Sequence, residues 1–414
     1  MTSGLWSVLI QAIGSAATLG AAAFVTWHFG LSAQGEFGLL RSWSDSLVAL
    51  AALGLPQGLL HLQYREAVSA ASLRRFVGRY VGALAVGCAV VVAVLVLTAL
   101  GDVAGLHRTQ VGIIVAAAPF GVAHLLCRAL VLKTRGVVRY GIVTSLPSVL
   151  VLLGIVVFGI AFAGAGIGSS FAWVLLGAAV LSSGVAALWS SGAQRRPEDP
   201  VAWPRRILWS VSLQTWLQAA LATVLVASLL TLSRALGAGL VEVGLLSLGL
   251  YVYQLFGVLA AYAAPVVYDR VAGASAAQAV WTPSPSWRKG AFGVATAALA
   301  IALVAPRLAA FAWPAASQYV SSMTFFAVAG LAALGARLGA TLLQAMGRLT
   351  ELSIQAAWRL VVALALTAAL LSAMTAASAV PVALLAVELL TLARVAWLLR
   401  AGALGARATG PVER

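Results

Sequence analysis

The chain is short of charge, and shortest of negative charge. Only 9% of its 414 residues are charged, 11 Asp and Glu against 26 Lys and Arg, while 62% are apolar. An ordinary soluble domain carries about 25% charged residues, so a water-soluble fold of this size would lack the polar groups to cover its surface. Its solvent is lipid. Cysteine is nearly absent. Cys88 and Cys127 both fall in apolar stretches, which excludes a disulfide framework and leaves them as small apolar fillers. His28, His61, His107 and His124 show no metal-ligand spacing. No glycine-rich phosphate loop followed by Lys-Ser/Thr occurs, which excludes an internal ATPase. No nucleophile, base and orienting group cluster together, so the chain is not expected to be an enzyme.

What is present is a succession of long apolar runs. A helix rises 1.5 Å per residue, so about 20 residues cross a ~30 Å hydrocarbon layer. The runs predict twelve spans: 4–29, 37–62, 76–100, 110–132, 138–163, 168–192, 205–232, 240–267, 288–306, 318–346, 350–373 and 376–400. The fold class is an all-α polytopic membrane protein. The first run has no basic region before it and is too long for a signal peptide, so it is expected to remain as the first span.

The net charge of +15 would suit a nucleic-acid partner, but its distribution argues against one. Of the 26 Lys and Arg, 18 fall in turns on one side, among them Arg74, Arg75, Lys133, Arg135, Arg195 and Arg196. Only Arg108, Arg234 and Arg307 fall in the opposite turns, and the other five lie inside helices. This asymmetry places both termini and the even-numbered loops in the cytoplasm. The same loops offer contacts to anionic membrane lipids.

The polar stretch Arg195-Arg196-Pro197-Glu198-Asp199-Pro200 separates six spans from six. The expected organisation is a six-helix bundle over 1–193, a cytoplasmic linker over 194–204 and a second six-helix bundle over 205–414. A repeat supports it. Gly35-Glu36-Phe37-Gly38-Leu39-Leu40 opens span 2, and Val241-Glu242-Val243-Gly244-Leu245-Leu246, 206 residues on, opens span 8. Pro56 and Pro265 fall towards the inner ends of the same two spans. Gly136 and Gly347 fall in the matching 4–5 and 10–11 turns. Six is even, so both bundles share one orientation, related by a pseudo-twofold axis along the membrane normal with a cavity between them. That is a transporter's plan; a channel would show a repeated filter loop.

With Leu53-Gly54-Leu55-Pro56-Gln57 following the Gly35–Leu40 segment, and Lys133-Thr134-Arg135-Gly136 in the 4–5 turn, the first 150 residues resemble a known family. It is the polysaccharide (O-antigen type) flippases of the multidrug/oligosaccharidyl-lipid/polysaccharide (MOP) exporter superfamily. The resemblance implies two bundles in a V around an aqueous lumen, in the cytoplasmic (inner) membrane of a bacterium. It implies movement of an undecaprenyl-diphosphate-linked oligosaccharide, an O-antigen, capsule or exopolysaccharide unit, to the outer leaflet by alternating access. A cation gradient, H+ or Na+, often drives such carriers, and no cofactor is implied. Implied partners are the lipid-linked oligosaccharide, membrane lipids and glycosyltransferases or a polysaccharide polymerase, with the chain itself a monomer. The alternative is a drug/cation antiporter of the same superfamily, of the multidrug and toxic compound extrusion (MATE) type. A sugar or drug carrier of the major facilitator type is disfavoured. Its Gly-x-x-x-Asp-Arg-like signature is missing from Gln63-Tyr64-Arg65-Glu66-Ala67. A non-transporting scaffold is disfavoured by the duplicated halves.

Charges inside the hydrocarbon cost about 2.5–3.5 kcal/mol each on insertion scales, so each needs a reason. Arg41 and Asp45 stand one turn apart on span 2. Arg41 suits a diphosphate or an acidic sugar. Asp45 either holds Arg41 or takes up a proton or cation, and the remaining reading is a self-neutralising packing pair. The 206-residue shift carries Arg41 to Ser247 and Asp45 to Tyr251, and Gln254 and Tyr262 continue that face of span 8. They line the same cavity or pack at the interface. Gln11, Ser15 and Thr18 on span 1, and Gln214 and Gln218 on span 7, either line the cavity or bond helix to helix. Arg337 on span 10 and Arg128 on span 4 receive phosphate at the inner entrance or snorkel to the interface. Glu388 is deep in span 12 and shows no partner on its own helix. Helix-breaking Pro56 and Pro265 are the hinge candidates. Relatives that move diphosphate lipids concentrate arginines on helices 1, 2 and 8. Spans 1 and 8 here have none in their central parts, which turns attention to Arg234.

Overall fold

The structure, a computed structural model, describes residues 2–64, 68–98, 106–161, 167–191, 205–272, 303–304, 307, 319–345 and 348–408. The predicted ninth span, 288–306, and the linker 194–204 lie outside the described residues, 303 and 304 apart. The fold is all-helical. Ten helices among the described residues are long and apolar enough to cross a membrane, and the chain is a multi-pass membrane protein.

Helix α1 runs from Thr2 to Ala51 and contains both of the first two predicted spans. The expected loop over residues 30–36 is a single residue, Gly30, with φ 87° and ψ 172°, a conformation essentially confined to glycine. Gly35 therefore sits inside a helix rather than in a turn. Helices α4 (Arg108–Arg135) and α5 (Val137–Ala161) meet in the same way at Gly136, with φ 84° and ψ 174°. Arg128 reaches back over the Tyr140 ring across that turn, 5.5 Å from its centre, so α4 and α5 fold back on each other. The first limb of α1 runs parallel to α5: Ser145 donates to the Ile10 carbonyl at 2.7 Å, Thr18 to Ser148 at 3.0 Å, and Phe24 touches Gly159. The second limb runs parallel to α4, from Glu36 beside Gln110 to Val48 over Gly121. The chain therefore reverses at Gly30 as it does at Gly136.

The second predicted span, 37–62, is not continuous. It breaks at Leu53 (φ 47°) and Gly54 (φ 68°), and α2 (Leu55–Tyr64) comes next. Pro56 lies in the first turn of this new helix, where its missing N–H costs nothing; it does not bend an intact one. The break frees carbonyls, and side chains take them. Trp216 donates to the Leu50 carbonyl at 3.0 Å and the Tyr80 hydroxyl to Ala51 at 2.5 Å. Gly54 and Gly58 bring the chain against Ser212 of α7 (Arg205–Ala235), so close that a Cβ at either position would strike it. Leu55, Leu59 and Leu62 then interlock with Leu73 and Val77 of α3 (Ala70–Leu97), Leu126 and Leu130 of α4, and Leu208 of α7. Lipid is as apolar as leucine, so this core holds by close packing rather than by escape from water.

The lipid-facing sides are apolar. Val86, Val90, Val94 and Leu97 of α3 are exposed, as are Trp27, just before the Gly30 reversal of α1, and Trp173, in the second turn of α6 (Ile167–Ser191); tryptophans favour the headgroup level.

Two compact units emerge, Met1–Ser247 and Leu248–Arg414. The sequence duplication divides earlier, at 194–204. The packing divides later because α7 lies along α1 and α2. Helix α8 (Leu240–Ala272) begins in the first unit and continues into the second. In the second unit, Gly249 of α8 lies under Phe326, and Phe256 under Gly330, of α9 (Val320–Ala345). Helices α10 (Leu349–Leu371) and α11 (Ala376–Ala408) follow, and both α9 and α10 pack on α11.

Candidate functional site

In the first unit, Arg41 and Asp45 are paired as their spacing requires, but loosely. Arg41 Nε lies 3.5 Å from Asp45 Oδ2, with the Asp45 side chain 60% exposed and the Arg41 side chain 12% exposed. Arg41 Nη1 is buried without a hydrogen-bond partner. A guanidinium has five donors in a fixed fork, so this one retains capacity for a further acceptor. Two residues on, Trp43 donates to Thr231 of α7 at 2.9 Å and holds the limb in place.

The other predicted lining residues divide. Thr18 donates to Ser148 of α5 and Ser15 to the Gln11 carbonyl of its own helix, so Thr18 joins two helices. Gln11 is half-buried. Gln214 is exposed, whereas Gln218 is half-buried with its Nε2 lacking a partner. Ser247 is 2% exposed and receives a 2.8 Å hydrogen bond from Gln34. It lies where α8 crosses the second limb of α1, not on an open wall. A Cβ on Gly35 would strike the Leu240 carbonyl, one on Gly244 the Leu31 carbonyl, and one on Gly38 the Ser247 side chain. The two segments that the 206-residue repeat equates thus touch each other, backbone on backbone. Tyr251 and Gln254 are half-buried further along α8; the side chains of Tyr262 and Pro265 lie outside those described.

The second unit holds a cluster that sequence reasoning missed. Glu388, which has no partner on its own helix, has two on others. Arg359 binds its Oε1 through Nε at 2.6 Å and Nη2 at 2.5 Å, and Tyr253 donates to the same oxygen at 2.8 Å. Arg359 Nη2 also touches the Tyr253 hydroxyl. Tyr253 and Glu388 are each 1% exposed. The signal was in hairpin register rather than helix periodicity. Arg359 stands twelve residues before the end of α10 and Glu388 twelve after the start of α11, so the turn between them brings both to one depth. Tyr253 lies two positions round the helix from Tyr251, off the face that the repeat singles out.

Arg337 of α9 is half-buried, and its guanidinium lies against Gly257 at the middle of α8, where a Cβ would collide with it. It points into the unit and does not snorkel along its own helix. Arg128 of α4 stacks over Tyr140. Glu351 at the start of α10 is held by Arg348 at 2.8 Å, and Glu36 accepts from Gln110. Among the described side chains, Asp45 and Glu388 each face an arginine, whereas Arg337 and Arg128 make no ion pair there.

No protein-family profile and no curated protein matches the chain. Solved structures do. An inward-facing multidrug-resistance MATE transporter of the MOP superfamily superposes with a TM-score of 0.76 at 15% identity, over 98% of this chain and 99% of that one. A MATE structure in complex with MaD3S gives 0.64 at 18% identity, over 96% of each chain. A MOP-superfamily transporter from Pyrococcus furiosus, whose reversed pocket polarity suggests a different function, gives 0.63 at 14% identity, over 97% of this chain and 95% of that one. The fold is that of the MOP transporters.

Proposed function

We propose that the chain is a flippase of the cytoplasmic membrane that carries an undecaprenyl-diphosphate-linked oligosaccharide to the outer leaflet by alternating access. The observation that carries this reading is the charge pattern inside the spans. Asp45 and Glu388 there are each paired with an arginine, and cationic capacity is left over at Arg41 Nη1, buried without a partner, and at Arg337, which makes no ion pair among the described residues. A site of that sign suits an anionic head group. The lipid tail stays in the bilayer while the diphosphate and sugars pass through the polar interior. No bond is made or broken, so the protein acts as a carrier and not as an enzyme. In the first unit Arg41 takes the anion and Asp45 orients it; in the second, taken by itself, Tyr251 and Gln254 offer a ring and an amide to sugars. Both termini and the arginine-rich turns face the cytoplasm.

The MATE-type reading, export of an organic cation, is favoured by the solved relatives and by one residue, Asp45, whose carboxylate is 60% exposed. The similar structure from Pyrococcus furiosus, whose reversed pocket polarity suggests a different function, is a precedent for pocket polarity varying within this fold.

Deletion in the parent organism separates the two. The flippase reading expects lipid-linked repeat units to accumulate in the inner leaflet, with drug susceptibility unchanged. Normal surface polysaccharide with raised sensitivity to cationic drugs would establish the antiporter instead.

A further inference from the structure

Arg337 is turned into the second unit, onto Gly257 of α8, and no carboxylate among the described residues pairs with it. From Arg270 to Thr350 the sequence contains no Asp or Glu. Asp269 lies twelve residues beyond Gly257 along α8, about 18 Å by helix rise, farther than an arginine extends. Glu242 lies fifteen residues before it, farther still. Glu351 is held by Arg348, and Glu388 receives Arg359 and Tyr253 on one oxygen. Arg337 itself makes no ion pair and no side-chain hydrogen bond among the described residues. An arginine inside a membrane domain normally has a carboxylate, a carbonyl or a route to water. This one has a glycine. Gly257 has no Cβ, which lets the guanidinium lie on the face of α8, its donors held at mid-helix depth without a partner among the described residues.

We propose that Arg337, seated on Gly257, is an anion-receiving group of the second unit and takes a phosphate oxyanion of the cargo. The proposal rests on the flippase reading for the identity of the cargo and on geometry alone for the sign of the ligand. A planar guanidinium matches two oxygens of a phosphate at once. The Tyr253–Arg359–Glu388 cluster supports the seat from one turn away, because it keeps the nearest carboxylate occupied. Gly257 is a positioning residue: any side chain there displaces the guanidinium without removing its charge.

The test uses the full chain in nanodiscs of neutral phosphatidylcholine, titrated with farnesyl diphosphate and with inorganic pyrophosphate while intrinsic tryptophan fluorescence is followed. Arg337→Gln and Gly257→Ala should each weaken farnesyl diphosphate at least ten-fold. Arg337→Lys should weaken it less, and Arg206→Gln, at an exposed position, should leave it unchanged. Competition by pyrophosphate would assign the contact to the diphosphate. Should Gly257→Ala not fold, as judged by size exclusion, the Gln and Lys variants at 337 decide alone. Equal affinity in Arg337→Gln and the unmodified chain overturns the proposal. So does a response confined to discs containing phosphatidylglycerol, which would make the seat a bilayer-lipid site. A chain that complements the deletion yet binds equally well in Arg337→Gln removes the seat and leaves the flippase reading standing. A chain that binds through Arg337 but leaves lipid-linked units unaffected on deletion does the reverse.

Discussion

Tyr253 donates its hydroxyl proton to Glu388 across 2.8 Å, on the same oxygen that Arg359 binds. Three helices, α8, α10 and α11, are tied at one buried point. Removing one partner of a buried ion pair leaves an uncompensated charge and costs about 3–5 kcal/mol, whereas replacing both by apolar groups is often close to neutral. Arg359→Met and Glu388→Leu should each lower thermal stability severely in detergent, and the double variant should recover most of the loss. Tyr253→Phe removes one hydrogen bond to a charged group and should cost about 1.5–3 kcal/mol. Strictly additive losses in the cycle would mean the three residues do not act as a unit.

The crossing of α1 and α8 depends on having no side chains. Gly35, Gly38 and Gly244 each leave room for backbone or for Ser247 of the opposite helix, and Gln34 closes the contact by donating to Ser247 at 2.8 Å. Gly244→Ala has no flexible neighbour to displace, because its Cβ would meet the Leu31 carbonyl. It should reduce folded yield and melting temperature more than Gly112→Ala, a position with open space around it. Gln34→Leu keeps the volume but leaves Ser247 without its donor, and should cost about 0.6 kcal/mol, the usual worth of a hydrogen bond between membrane helices. Equal melting temperatures for Gly244→Ala and Gly112→Ala would refute the backbone crossing.

Much of this was readable in the chain. Hydropathy and charge asymmetry fixed the class, since alternate arginine-rich turns such as Lys133–Arg139 leave little choice of solvent. The glycines of the repeat marked the right places. Their role was not readable: Gly35 looked like part of a turn and Gly38 like the start of a span, and only packing reveals a crossing, with the true turn one residue, Gly30. The Glu388 partner escaped for a related reason. Helical periodicity reports neighbours three or four residues away, whereas Arg359 is 29 positions back on the preceding helix. Pro56 misled because proline is read as a bend, while here the bend comes earlier and Pro56 starts the next helix.

That bend at Leu53 and Gly54 can be tested by relief of strain. Leu53 is the one non-glycine with positive φ among the described residues, at 47°, a conformation costing a residue with a Cβ about 1–2 kcal/mol. Leu53→Gly should therefore be neutral or raise the melting temperature, in contrast to most leucine truncations in a packed region. Trp216→Phe deprives the Leu50 carbonyl of its side-chain donor and should destabilise the chain by about 0.6 kcal/mol. A large loss in Leu53→Gly would show that the side chain, not the backbone, sets the break.

Arg41 and Asp45 distinguish the two cargoes because the pair is unequal. Arg41 is mostly buried with an unused Nη1, and Asp45 is mostly exposed. For an anionic cargo the arginine is the contact and the carboxylate an orienting neighbour. Arg41→Ala should then export surface polysaccharide poorly, Arg41→Lys should restore part of it, and Asp45→Asn should be milder. The contact is loose, 3.5 Å, and its carboxylate is exposed, so the pair itself contributes about 0–1 kcal/mol; folded yield by size exclusion is measured for all three variants so that their export can be compared. For an organic cation the order inverts: Asp45→Asn abolishes transport, and Arg41→Ala frees the carboxylate and raises it. Measuring polysaccharide export and cationic-dye efflux in the same three strains reads both orders at once. Full export from Arg41→Ala would take Arg41 out of the site even if the fold and the carrier mechanism stand.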